Sequence, residues 1–186
     1  GFVLGEGAAA LVLEDEEHAK NRNATILAEL AGYGATDDAY HITQPSEGGK
    51  GAIKAMNLAI KDARISPEDV NYINAHGTST PFNDKTESAA ISSLFGNHSS
   101  ELRVSSTKSM IGHALGASGA LEAVACVKTL ETGKIAPTIN YETPDPECDL
   151  DYTPNKCVTD STITTALSDN LGFGGHNGVI VFKKLD

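Results

Sequence analysis

The chain has 186 residues, a length for one domain built around one core. Its 25 acidic against 14 basic residues give a net charge of −11, which argues against binding nucleic acid through a general field. No apolar run reaches membrane-spanning length, so neither nucleic acid nor membrane is an expected partner. The three cysteines lack framework or zinc spacing, which fits a reducing compartment and no metal site. The chain opens Gly1-Phe2-Val3-Leu4-Gly5-Glu6-Gly7 without Met or signal peptide, and further residues are expected upstream.

In chain order, Ala8 to Leu13 is a short apolar run that predicts a buried strand, and Glu14 to Asn21 a charged helix. Thr25 to Gly34 predicts a second strand, and Asp37 to Gly49 a loop. Gly51 to Arg64 is the clearest amphipathic helix, with Ile53, Met56, Ile60 and Ala63 on one face. Ser66-Pro67 starts a capped turn, and Val70 to Ile73 predicts a strand. Asp84 with Glu87 has capping-box spacing for a helix running to Phe95, which Gly96 would end. Leu102 to Val104 is a strand. It is followed by Ser106 to Ala117, read as a loop too rich in Gly and Ser for helix. A helix from Ser118 to Glu131 is apolar nearly all round and is expected in the middle of the structure. Thr138 to Asp149 is a Pro-rich loop. Thr162 to Ser168 and Val179 to Lys183 are strands around a Gly-rich turn. Together these predict an α/β domain with a mixed, mostly parallel five-stranded sheet covered by helices.

Three turns carry chemistry: His76-Gly77-Thr78-Ser79-Thr80, Ser106 to His113 with Lys108, and Asn170-Leu171-Gly172-Phe173-Gly174-Gly175. Each follows a predicted strand, and in an open α/β sheet the carboxyl ends of the strands form the ligand edge. The pattern alone fits a converging site and fits structural turns with incidental histidines equally well. Dinucleotide, P-loop and zinc-protease motifs fail. Gly172 to Gly175 runs into a strand instead of a helix, and no His-Glu-x-x-His occurs. Cys126 reads as inert core, Cys148 and Cys157 lack the basic surroundings of a nucleophile, and His18, His41 and His98 read as surface residues.

The three motifs in this order resemble the β-ketoacyl-acyl carrier protein synthases, elongating condensing enzymes of the thiolase fold, and most closely their type II members. The resemblance covers residues 1–186 as a thiolase-like C-terminal half. It implies that the nucleophilic Cys lies in an N-terminal half that these residues do not contain, and that this half alone is inactive. It implies decarboxylative condensation of acyl groups with malonyl-acyl carrier protein, in a homodimeric, cytoplasmic enzyme, with plastid or mitochondrion left open. No cofactor is implied, because the substrates ride on the phosphopantetheine arm of acyl carrier protein. His76 and His113 would both point donors at the malonyl thioester oxygen, with Lys108 a charged partner and Glu122 its counter-charge. Thr78 and Thr80 would bond the pantetheine arm. The N–H of Phe173 would serve an oxyanion hole, in a turn shaped by Gly172 and Gly174. Leu171 and His176 depart from the family's commoner Phe and Thr. A polyketide ketosynthase and a non-catalytic thiolase-like binding module are the alternatives.

Overall fold

The structure is a computed structural model that describes residues 1–185. Its centre is a five-stranded sheet of β1 (Glu29–Asp37), β2 (Tyr72–Asn74), β3 (Arg103–Ser105), β6 (Thr165–Leu171) and β7 (His176–Lys183), in the order β1-β7-β6-β2-β3. The sheet is mixed as expected. β6, β2 and β3 pair in parallel, while β7 pairs antiparallel with both β6 and β1. Four strands therefore share one direction and β7 alone is reversed.

Side chains alternate across the sheet and build two cores. Ile73, Val104, Leu167, Val179 and Val181 face α2 (Lys50–Asp62) and α3 (Pro81–Phe95). Tyr72, Ala166 and Phe182 face α5 (Ser118–Thr132), so the residues form three layers. α2 turns Ala55, Met56, Ala59 and Ile60 inward, all at most 2% exposed. It lies backbone-close to β1 because Gly32 and Gly34 carry no side chain: a Cβ at either would collide with the carbonyl of Ala59 or Ala55.

Several expectations need correction. Ala8 to Leu13 forms no strand. No neighbouring strand pairs with it among the described residues, and Val12 and Leu13 stay exposed while Leu11 packs beside the α5 core. The strand expected at Thr25 to Gly34 lies further on, because Gly32 and Gly34 are interior contacts of β1 and not its end. α3 begins at Pro81 after Thr80, so Asp84 is no cap. Pro is pre-set for the first helical position and outweighs the Asp84/Glu87 spacing. Lys108–Ile111 is a single helical turn (α4), closed by Gly112 at φ 76°, where loop was expected. α5 buries one face on the sheet, including Glu122, Cys126 and Leu130, and leaves Leu121 and Val124 partly open, so it is not enclosed on all sides within these residues. His98 is also not a surface residue: its side chain is 13% exposed and it bonds the Val70 carbonyl at 2.9 Å.

α1 (Glu16–Asn21) matches its charged pattern, capped by Asp15. The Pro-rich stretch is irregular as expected, bracketed by a small ladder of β4 (Lys134–Ile135) and β5 (Val158–Thr159).

Candidate active site

Because β6, β2 and β3 are parallel neighbours, the segments after Leu171, Asn74 and Ser105 leave the same edge of the sheet. The first of the histidines, His76, is placed by a carboxylate. Glu87, buried on α3, accepts from the backbone N–H of His76 at 2.7 Å and of Gly77 at 2.9 Å, and from Asn83 Nδ2 at 3.0 Å. Gly77 takes φ 40°, and a Cβ there would strike Ser106, whose hydroxyl donates to the Gly77 carbonyl at 2.8 Å. The turns after β2 and β3 are thus tied directly together.

His113 is placed by the start of the chain. Its N–H donates to Val3 O at 2.8 Å, its carbonyl accepts from Gly5 N at 3.1 Å, and the Phe2 ring stands edge-on to the imidazole at 4.9 Å. The Leu115 N–H donates to His113 Nδ1 at 3.2 Å. A backbone amide can only donate, so Nδ1 is the acceptor and the neutral ring carries its proton on Nε2. The rings of His76 and His113 lie 5.5 Å apart and nearly perpendicular.

Behind His76 lies a buried ion pair, joined to it through Asn170. Lys108 Nζ donates to Glu122 Oε1, with side chains 4% and 1% exposed. The other Glu122 oxygen accepts from Asn170 Nδ2 at 2.7 Å, and Asn170 Oδ1 meets His76 Nδ1 at 3.2 Å. Burial pushes the His76 pKa down to about 3, with the Lys108 charge adding to the effect, and the same causes lower His113. Both rings are therefore neutral at physiological pH. Burial raises Glu122, opposed by Lys108 and Asn170.

Thr78 and Thr80 share a hydroxyl contact of 2.8 Å. Together with Phe2, Lys108, His113 and Tyr152 they line a cavity of about 1070 Å³. Phe173 is on the same sheet edge but outside those walls and 68% exposed. Its turn is held by Gly174 N to Ile42 O at 2.8 Å and Asp38 N to Gly175 O at 2.8 Å. Gly174 stands at φ 87°, which favours glycine, whereas Gly172 is in extended backbone. The structure therefore brings together His76, Lys108, His113 and Glu122, sets Thr78 and Thr80 in the cavity wall, and leaves Gly172, Phe173 and Gly174 apart from it. Cys126 is fully buried, and burial raises its thiol pKa, as suits an inert core residue.

Sequence reasoning missed Glu87, Phe2 and Asp169 as parts of this edge, and placed Asn170 in its third turn without giving it a role. Glu87 was legible only as a capping residue, and its partners lie outside its own helix. Asp169, fully buried on β6, has no hydrogen-bond partner on either oxygen among the described residues. Burial, then the nearby Glu87 charge, push its pKa well above the carboxylate range. Glu87 already accepts three donors and Asp169 none, so the proton of this acid pair belongs on Asp169. The folded chain then holds a proton that the unfolded chain releases above about pH 3.9. Stability is full below that value and declines by about 1.4 kcal/mol per pH unit until the folded carboxyl ionises. Asp169→Asn is expected to remove this slope. Thermal midpoints of both forms, followed upward from the ordinary carboxylate range, provide the check, and an unchanged slope would refute the assignment of the proton.

The chain belongs to the β-ketoacyl synthase family: residues 27–142 match the description "Beta-ketoacyl synthase, C-terminal domain". It is 55% identical over all 186 residues to the 3-oxoacyl-[acyl-carrier-protein] synthase 2 of Staphylococcus aureus strain COL, covering 45% of that protein. It is 54% identical over 184 residues to the synthase 2 of Synechocystis, covering 99% of this chain and 44% of the relative. The chain thus spans less than half the length of these curated relatives. Among solved structures, the ishigamide ketosynthase/chain length factor superposes with a TM-score of 0.95 at 42% identity, over 100% of this chain and 45% of the other. A β-ketoacyl synthase from Burkholderia phymatum gives 0.86 at 40% identity, over 93% and 41%. A type II polyketide ketosynthase, solved with its acyl-carrier protein, gives 0.90 at 48%, over 93% and 42%. These neighbours make the fold that of a thiolase-like ketosynthase half. Among the described residues no helix is long and apolar enough to cross a membrane.

Proposed function

We propose that these residues are the C-terminal half of a type II 3-oxoacyl-acyl carrier protein synthase, an acyltransferase of fatty acid elongation acting in the bacterial cytoplasm as a homodimer. The observation that carries this reading is the meeting of His76 and His113, at 5.5 Å, beside the sealed Lys108–Glu122 pair. The identity to synthase 2 relatives along the whole chain supports the choice of substrate class.

In this reading an acyl group passes from carrier protein to a cysteine thiol in the N-terminal half, and the carrier thiol leaves. Malonyl-acyl carrier protein then binds with its pantetheine arm along Thr78 and Thr80. Loss of CO2 leaves a carbanion whose charge spreads onto the thioester oxygen. The Nε2–H of His113 is the donor placed for that oxygen, because Leu115 N–H holds Nδ1 as acceptor. The carbanion attacks the acyl thioester, the cysteine thiolate leaves, and the β-ketoacyl chain remains on the carrier. The Phe173 N–H serves the acyl thioester oxyanion in this scheme, and no cofactor is required.

The test is the longer protein containing this chain, incubated with acyl- and malonyl-acyl carrier protein. One condensation per acyl chain is expected. A second reading, a polyketide ketosynthase, is favoured by the likeness to such enzymes at 48% identity. It predicts poly-β-keto chains when no reductase is present, and the absence of any condensation would reject both.

A further inference from the structure

The two histidines look interchangeable in sequence, but their neighbours treat them differently. Asn170 sits between an anion and an imidazole. Glu122, ion-paired with Lys108, accepts and cannot donate, so the Asn170 NH2 must face it, at 2.7 Å. Turning the amide over would set its oxygen against the carboxylate and lose that bond. The amide oxygen is thereby committed to His76 Nδ1 at 3.2 Å, and an oxygen acceptor there requires Nδ1 to carry hydrogen. In a neutral ring Nε2 is then a bare lone pair. It has no partner among the described residues and is not one of the sealed unpartnered atoms, so it keeps access to solvent. His113 is wired the other way, since the Leu115 amide leaves its proton on Nε2.

We propose that Asn170 is a positioning residue that holds the His76 proton on Nδ1, so that the pair presents one acceptor, His76 Nε2, and one donor, His113 Nε2–H. The acceptor takes an O–H or N–H group, such as a bound water, and is unsuited to a thioester oxygen. The developing charge of decarboxylation is met by His113 without help from a His76 donor. This replaces the two-donor arrangement that the resemblance implies. The proton placement rests on geometry alone. Its kinetic consequence rests on the condensing-enzyme reading.

The experiment uses the longer protein labelled with ¹⁵N-histidine, in wild-type and Asn170→Ala forms, with His76→Gln and His113→Gln to assign the signals. Nitrogen NMR at neutral pH is expected to show His76 protonated on Nδ1 and His113 on Nε2. In Asn170→Ala, His76 is expected to become a mixture of tautomers while His113 is unchanged. CO2 release from malonyl-acyl carrier protein should fall about tenfold in kcat with KM held, and the thermal midpoint should drop as well, because the buried Glu122 carboxylate loses its Asn170 bond. Asn170→Gln, which keeps the amide, should recover part of the rate. A wild-type His76 protonated on Nε2 overturns the proposal. So does an Asn170→Ala enzyme that loses rate without a change of tautomer. If wild-type protein releases no CO2 yet shows the expected tautomers, the functional reading fails and the proton placement stands.

Discussion

His113→Ala in the longer protein is expected to abolish most malonyl decarboxylation while sparing transfer of the acyl group to cysteine. The two steps put negative charge in different places. Acyl transfer develops it on the acyl thioester, which the Phe173 turn is proposed to serve. Decarboxylation develops it on the malonyl thioester, where the fixed Nε2–H of His113 is the proposed donor. A pre-aimed donor in a site of this kind contributes about 3 kcal/mol, or roughly a hundredfold in rate. Labelled acyl-enzyme formation measured beside CO2 release separates the steps. His18, 69% exposed and near Glu14, is the control whose substitution should change neither. Blocked acylation with intact CO2 release would reverse the role given to His113.

Lys108→Met is expected to cost about 3–5 kcal/mol of stability, because it strands the Glu122 carboxylate in a site where that side chain is 1% exposed. The partner is not replaceable by solvent. Asn170 supplies a single donor, and the helix face around Glu122 is packed on the sheet. Lys108→Met combined with Glu122→Met should regain most of the loss, since the pair is then exchanged for apolar groups of similar reach. Chemical denaturation of the wild type, the singles and the double gives the coupling between the two residues. A coupling near zero would show that the ion pair does not hold the site together.

Much of this site is legible in the sequence, and the reason is directional. His76, Lys108 and His113 each come after a short apolar run, and parallel strands deliver the turns at their carboxyl ends to one edge. Glu122 comes as a counter-charge through the family resemblance alone, and the structure supplies the physical reason: an acidic residue on a buried helix face needs a partner. The relations that escape are those that cross elements. Glu87 binds the turn of a different strand, and Asn170 joins His76 across 94 residues and Glu122 across 48, so no local pattern announces either. The apolar run at Ala8 to Leu13 misleads for the same reason: hydrophobicity marks a segment for contact but does not say that a strand will pair with it. Phe2, in an opening stretch to which the sequence assigns no part in the site, walls the cavity because Val3 and Gly5 are stitched to His113.

That stitching has a consequence for the order of assembly. The sheet is held by continuous ladders between two apolar cores, whereas the first residues are tied down by the Val3 and Gly5 backbone bonds alone, with the Val3 and Leu4 side chains exposed, so this tie is the first to open and the last to close. An intermediate with the sheet formed and the first five residues still loose would hold His76 in place and leave His113 free to wander. Competence for chemistry would then arrive as a separate event, after the fold is otherwise complete.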